Sequence, residues 1–153
     1  MKIFLFIIAC MVSLQAYCQD EDYEFVGTTP ENVNLYIKAS TIKVEDSYFK
    51  QYKVWVMGYI DKEDLFATQS KLSVKYKNVK LKSTHSEKLL FYIDCQQDKI
   101  ATCKALFYDK NGEVLQSNNL CEYGVQYDDV TPESIGEFIL NYVCNYAKVH
   151  LGE

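Results

Sequence analysis

Four cysteines lie beyond the first eighteen residues, Cys95, Cys103, Cys121 and Cys144, and covalent pairing among them would restrict the fold more than any other feature of the chain. Whether they pair depends on the compartment. Met1-Lys2 carries one positive charge, Ile3 to Val12 is apolar, and Ser13-Leu14-Gln15-Ala16-Tyr17-Cys18 is a short stretch ending on small residues. That order predicts a secretory signal over residues 1–18, cleaved after Cys18 and too short to remain in a bilayer. Ile7-Ile8-Ala9-Cys10 also has the residue types of a lipidation box, which offers anchoring at Cys10 as a second reading. Both readings export the chain to the periplasm or the cell surface, where an even number of cysteines points to disulfides. The C-x-x-C pair that marks many zinc sites is absent.

Local structure selects a pairing. Ile100 to Tyr108 and Glu113 to Leu120 read as strands around Asp109-Lys110-Asn111-Gly112, where Asn-Gly signals a hairpin. With Lys110 opposite Glu113, Cys103 and Cys121 come within one residue of facing each other, inside disulfide reach. The remaining pair, Cys95 with Cys144, would tie a strand to a C-terminal helix. That bridge closes a loop of about 50 residues, worth about 4 kcal/mol in the chain-entropy treatment.

Most of residues 19–153 reads as strands of one domain, undivided by linker, repeat or low-complexity tract. Lys53 to Ile60 and Leu89 to Ile93 are rich in β-branched and aromatic residues, and Tyr23 to Gly27 and Leu35 to Ile37 are shorter candidates split by Thr29-Pro30. Gln69 to His85 is polar, with alternation only in patches. Thr131-Pro132-Glu133 predicts a helix start: a capping Thr, proline at the first helical position and an acid in the first turn. Steps of about 100° gather Ile135, Gly136, Ile139, Leu140, Val143, Cys144, Tyr146 and Ala147 on one half of that helix. Gly136, near the middle of this half, would allow close approach to a sheet. The expectation is an α+β fold: an antiparallel meander of five or six strands with one C-terminal helix packed on one face, disulfide-linked. The other face must then be half polar or meet a partner.

The net charge is −5, yet all sixteen basic residues are lysines. Without arginine the chain lacks the planar fork that reads phosphate and guanine, which argues against nucleic acid as a partner.

Phe25-Val26-Gly27, Tyr36-Ile37, Ser40-Thr41-Ile42-Lys43, Val54-Trp55-Val56, Ile93-Asp94-Cys95, Tyr108-Asp109-x-x-Gly112-Glu113-Val114, Thr131-Pro132-Glu133-Ser134-Ile135-Gly136-Glu137 and Val143-Cys144 follow one another in an order that resembles the surface-adhesin protein E family. The resemblance implies an antiparallel sheet with a C-terminal helix and a disulfide at the positions of Cys95 and Cys144. It also implies a non-enzymatic surface protein that attaches to matrix and plasma proteins such as laminin and vitronectin. Cys103 and Cys121 are an addition to the family pattern. The aromatic-rich stretch before the closing helix keeps only tyrosines here, in Cys121 to Tyr127.

Among candidate sites, the lysine run Lys71, Lys75, Lys77, Lys80, Lys82 and Lys88 has Glu87 as the only acid between its members. Lys75, Lys77, Lys80 and Lys82 could steer sulfated glycans or an acidic stretch of a matrix protein; equally, lysines on an exposed strand guard a sheet edge. Tyr123 and Tyr127, beside Asp128-Asp129, form a second candidate contact surface, and tyrosines also cover half-exposed sheets. Catalysis finds no constellation: His85 lies in a polar loop, His150 falls in a C-terminal turn expected to fray, and no nucleophile or metal motif appears. No cofactor or metal site is read. Three functions follow from this reading: an adhesin-like binding domain, an envelope-associated structural protein, or a binder of a small apolar ligand in the helix–sheet crevice.

Overall fold

The computed structural model describes residues 23–152; the signal and Cys10 readings lie outside the described residues. The described residues form eight antiparallel strands: β1 (Tyr23–Thr28), β2 (Val33–Lys38), β3 (Lys43–Asp46), β4 (Gln51–Ile60), β5 (Ser86–Asp94), β6 (Lys99–Tyr108), β7 (Val114–Asn119) and β8 (Asp128–Asp129). They make one sheet in the order β1-β2-β4-β5-β6-β7. The predicted meander is present, with two interrupted lanes. β2 and β3 share one edge of β4, and β7 and β8 share one edge of β6. The first interruption is a 3-10 turn at Ala39–Thr41, where the Thr41 hydroxyl accepts from Trp55 N at 3.3 Å in place of a ladder carbonyl.

Alternation puts one set of side chains inside. Tyr52, Val54 and Val56 of β4 have no exposed surface, and Val33, Leu35 and Ile37 of β2, Ile93 of β5 and Phe107 of β6 join them. A helix α2 (Ile135–His150) adds Ile139, Leu140, Val143 and Ala147 to this same cluster. Its start differs from the prediction. Glu133 adopts φ 60, which a helix cannot use, so Thr131-Pro132 lie before the helix and Ser134 is the cap. Glu137 N donates to Ser134 Oγ at 3.2 Å, and Glu133 N donates to Glu137 Oε2 at 2.7 Å, a capping box shifted outward by one residue. The helix runs to His150, whose ring packs on Tyr146 at 4.5 Å, so the last turn is helical where fraying was expected.

A second helix went unread in the sequence. Gln69 to His85 contains the end of α1 (Leu65–Lys75) and a 3-10 turn at Val79–Ser83, not exposed strands. The short alternations around Tyr76 and Leu81 imitate a strand, but Leu65, Thr68, Leu72 and Tyr76 recur at helical spacing. Lys77, with φ 51, ends the helical run. Leu72 and Leu81 are buried in the central cluster, so α1 and its following turn cover one part of the sheet face and α2 another. No helix of the described residues is long and apolar enough to cross a membrane.

Both expected bonds are present, Cys95–Cys144 with Cα atoms 5.7 Å apart and Cys103–Cys121 at 4.8 Å. Lys104 pairs with Asn119 and Leu120 N donates to Cys103 O at 2.8 Å, the register that brings the second pair together. The chain reverses through Asp109–Gly112 with Gly112 at φ 83, and Asp109 Oδ1 accepts from Asn111 N and Glu113 N.

Close approach falls at other glycines than Gly136, whose added Cβ would meet nothing nearer than 3.4 Å. At Gly58 of β4 it would lie 2.5 Å from Glu87 Cγ and 2.7 Å from Val33 Cγ1. Gly58→Ala is therefore expected to cost about 1–3 kcal/mol by overpacking. The check is urea unfolding, where an unshifted midpoint would contradict the packing at this position.

Candidate binding face

The sheet face opposite the helices is half-exposed over its central rows, while Ala101, in one row with Lys53 and Tyr92, is buried. Residues there alternate with the buried set, and cross-strand pairing assembles them in rows. Phe25, Tyr36, Met57, Lys88 and Leu106 lie side by side across five strands. The adjacent row carries Trp55, Leu90 and Lys104, and another carries Tyr59, Ser86 and Tyr108. Phe25 is 52% and Tyr59 45% exposed, while Tyr36, Trp55, Met57 and Tyr108 are half-buried among their neighbours. Edge-to-face contacts link Phe25 to Tyr36 (5.5 Å) and Tyr36 to Tyr59 (5.8 Å), which makes the aromatic layer continuous.

An open depression of about 320 Å³ lies in this face. Trp55, Met57 and Leu106 line it from β4 and β6, Tyr23 and Tyr108 border it, and Lys38 and Lys88 reach it from β2 and β5. Lys38 Nζ sits 5.0 Å from the Tyr23 ring centre and Lys88 Nζ 5.5 Å from that of Tyr108. No carboxylate lines the depression among the described residues. Elsewhere on the face, Lys53 is paired with Glu45 at 2.5 Å.

The lysine run does not form one patch. Lys88 belongs to the open sheet face, while Lys71 to Lys82 surround α1. Lys75 is ion-paired to Glu31 at 2.8 Å and Lys71 donates to Pro30 O at 3.2 Å, so both tie α1 to the β1–β2 turn. Lys77, Lys80 and Lys82 are exposed. Tyr123 is 95% exposed, whereas Tyr127 is half-buried. Burial, together with Asp94, Tyr92 and Glu45, pushes the Tyr127 hydroxyl above its ordinary pKa. The aromatic face was within reach of the sequence: in Val54 to Met57 both alternating sets are bulky and apolar, a sign that both faces of β4 are occupied.

Under α1 lies a buried acid. Glu87 is 5% exposed and shares its sheet row with Gly58 and Phe107. Burial raises its pKa to about 7, Lys75 opposes this, and Glu31 adds to it. For Glu31 itself burial acts upward, but the Lys75 bond and charge outweigh it and hold the carboxyl below its usual range. The crevice between β1 and α2 has a volume of about 350 Å³ and is bordered by Val26, Ile135 and Phe138 with Glu133, Glu137 and Asn141. Two carboxylates at its rim suit it poorly to an apolar ligand. Among the described residues no group of three or more His, Cys, Asp or Glu side chains could hold a metal ion.

No curated protein matches the chain. Its fold is similar to that of Haemophilus influenzae protein E, solved as the selenomethionine form, with a TM-score of 0.51 at 16% identity over 82% of this chain and 87% of that one. The pattern of the family described as Surface-adhesin protein E matches residues 23–145, which take in every strand, both disulfides and all but the end of α2. The chain belongs to the surface-adhesin protein E family.

Proposed function

We propose that this protein is an exported, adhesin-like binding protein that holds an acidic host matrix or plasma protein non-covalently, without catalysing a reaction. The observation that carries this reading is the half-exposed sheet face. An aromatic layer with lysines at its margins combines contact area with charge steering, the two ingredients of a protein-binding surface. Membership of the adhesin family supports the same direction. The predicted signal over residues 1–18 would deliver the chain to the periplasm or surface, where its disulfides persist. Lys77, Lys80 and Lys82, exposed beside α1, would add a second positive region for steering, with Lys75 at its border. Tyr123 and Tyr127 would extend the contact surface toward β8.

The test is binding of oxidised residues 19–153 to immobilised laminin, vitronectin and heparin across a salt series. Saturable binding that weakens as salt rises is expected, because lysine contacts are screened beyond about 8 Å at physiological ionic strength. Replacing Lys75, Lys77, Lys80 and Lys82 by glutamate is expected to slow association while leaving the aromatic face intact. Absence of binding to all three would favour the envelope-structural reading instead.

A further inference from the structure

We propose that the depression around Trp55 is a carbohydrate subsite that takes one acidic sugar residue, a uronate or sulfated pyranose of an anionic glycan. The inference rests on the open sheet face as a binding surface and names what its centre recognises. Three features converge there. Flat rings of Trp55, Tyr23 and Tyr108 offer apolar planes against which the C–H face of a pyranose packs. Lys38 and Lys88 enter from strands on opposite sides of β4, with no carboxylate among the described lining residues to neutralise them. Each ammonium rests over a tyrosine ring, which holds the charge at the rim. A volume of about 320 Å³ matches the lower end of small-molecule sites, the scale of one or two sugar units.

Other ligand chemistries fit less well. A peptide gains affinity from main-chain hydrogen bonds at a sheet edge, but around the depression β5 is paired on both sides and β4 is paired with β2 and β5. Where the strand ladder is interrupted, Trp55 N and O are taken by the Thr41 hydroxyl. A phosphate would look for backbone N–H groups at a helix start or nest, and the walls are side chains of strands. An apolar ligand would leave two ammonium groups buried against it without a partner.

Trp55 is the only tryptophan of the chain, so its fluorescence reports on this site alone. Oxidised residues 19–153 would be titrated with a galacturonate trisaccharide, a heparin-derived tetrasaccharide and neutral maltotriose. A saturable change with at least one acidic oligosaccharide is expected, with maltotriose binding about tenfold or more weakly, the usual contribution of a charge-assisted contact. Lys38→Gln/Lys88→Gln should weaken the acidic ligand by about tenfold or more, while Lys62→Gln/Lys148→Gln, at exposed positions outside the depression, leaves it unchanged. No response to either acidic oligosaccharide, equal affinity for maltotriose, or full affinity in the Lys38/Lys88 variant would overturn the subsite. The same preparations would be assayed on immobilised laminin and vitronectin. Protein binding without a glycan response removes the subsite and leaves the adhesin reading standing; loss of both removes both.

Discussion

Replacing Cys95 and Cys144 together by alanine is expected to lower the unfolding free energy by about 4 kcal/mol, and replacing Cys103 and Cys121 by about 3 kcal/mol. The order follows from loop length, since the first bond spans 49 residues and the second 18. Crosslinking a longer loop removes more conformations from the unfolded chain. The two bonds also differ in what they hold. Cys103–Cys121 staples neighbouring positions at the end of the β6–β7 hairpin, whereas Cys95–Cys144 joins the turn after β5 to a helix arriving from far along the chain. Without it α2 keeps its place through apolar packing, with Ile139, Leu140, Val143 and Ala147 at its centre. Urea unfolding of the two double variants, with oxidised wild type alongside, gives the comparison. A smaller loss for Cys95/Cys144 than for Cys103/Cys121 would contradict this account of the staple.

Glu87→Gln is expected to stabilise the protein by on the order of 3 kcal/mol at pH 8 and to change little at pH 4. The folded-state pKa is raised to about 7 against an ordinary value of 4.5. Between those values the folded protein keeps a proton that the unfolded chain has released, so this group's contribution falls as pH rises from 4.5 to 7 and stays low above. Below 4.5 both states are protonated and the buried carboxyl costs no ionisation. Glutamine imitates the protonated form, so the variant should lose this slope. Glu31 acts in the opposite sense at lower pH: held down by Lys75, it contributes stability that is lost as acid protonates it. Chemical unfolding of both proteins from pH 8 down to about pH 2 separates the two windows, Glu87 above 4.5 and Glu31 below it. A wild-type advantage over Glu87→Gln at pH 8 would mean that the ionised carboxylate is compensated in the fold.

Much of the fold was legible because its signals are local. The strand in Lys53 to Ile60 follows from its own β-branched and aromatic residues, and the buried half of α2 follows from helical spacing between Ile135 and Ala147. The hairpin pairing of Cys103 with Cys121 is nearly as local, because one turn carries the register. The same locality misled where windows were short. Lys75-Tyr76-Lys77 alternates like a strand for three residues, yet Leu72 and Leu81 reach the core only if α1 is helical and the chain turns back. The cap moved from Thr131 to Ser134 because Glu133 takes a left-handed conformation that no residue pattern near Pro132 announced.

The candidate site divides along the same line. From sequence alone came the abundance of tyrosine, the absence of arginine, the cysteine pairing and the requirement that one sheet face remain half polar or meet a partner. Which residues share that face is a matter of register between distant strands. Trp55 and Tyr108 meet through β4, β5 and β6, and a shift of one residue in any pairing would have turned one of them inward. Lys88 follows closely after Lys82 in the chain, but the entry into β5 and the parity of that strand send it to the opposite face, beside the tryptophan. Side-chain alternation is written in each strand; the side of the sheet that two helices leave open is decided only when all the strands pair and the apolar faces of α1 and α2 find the same surface.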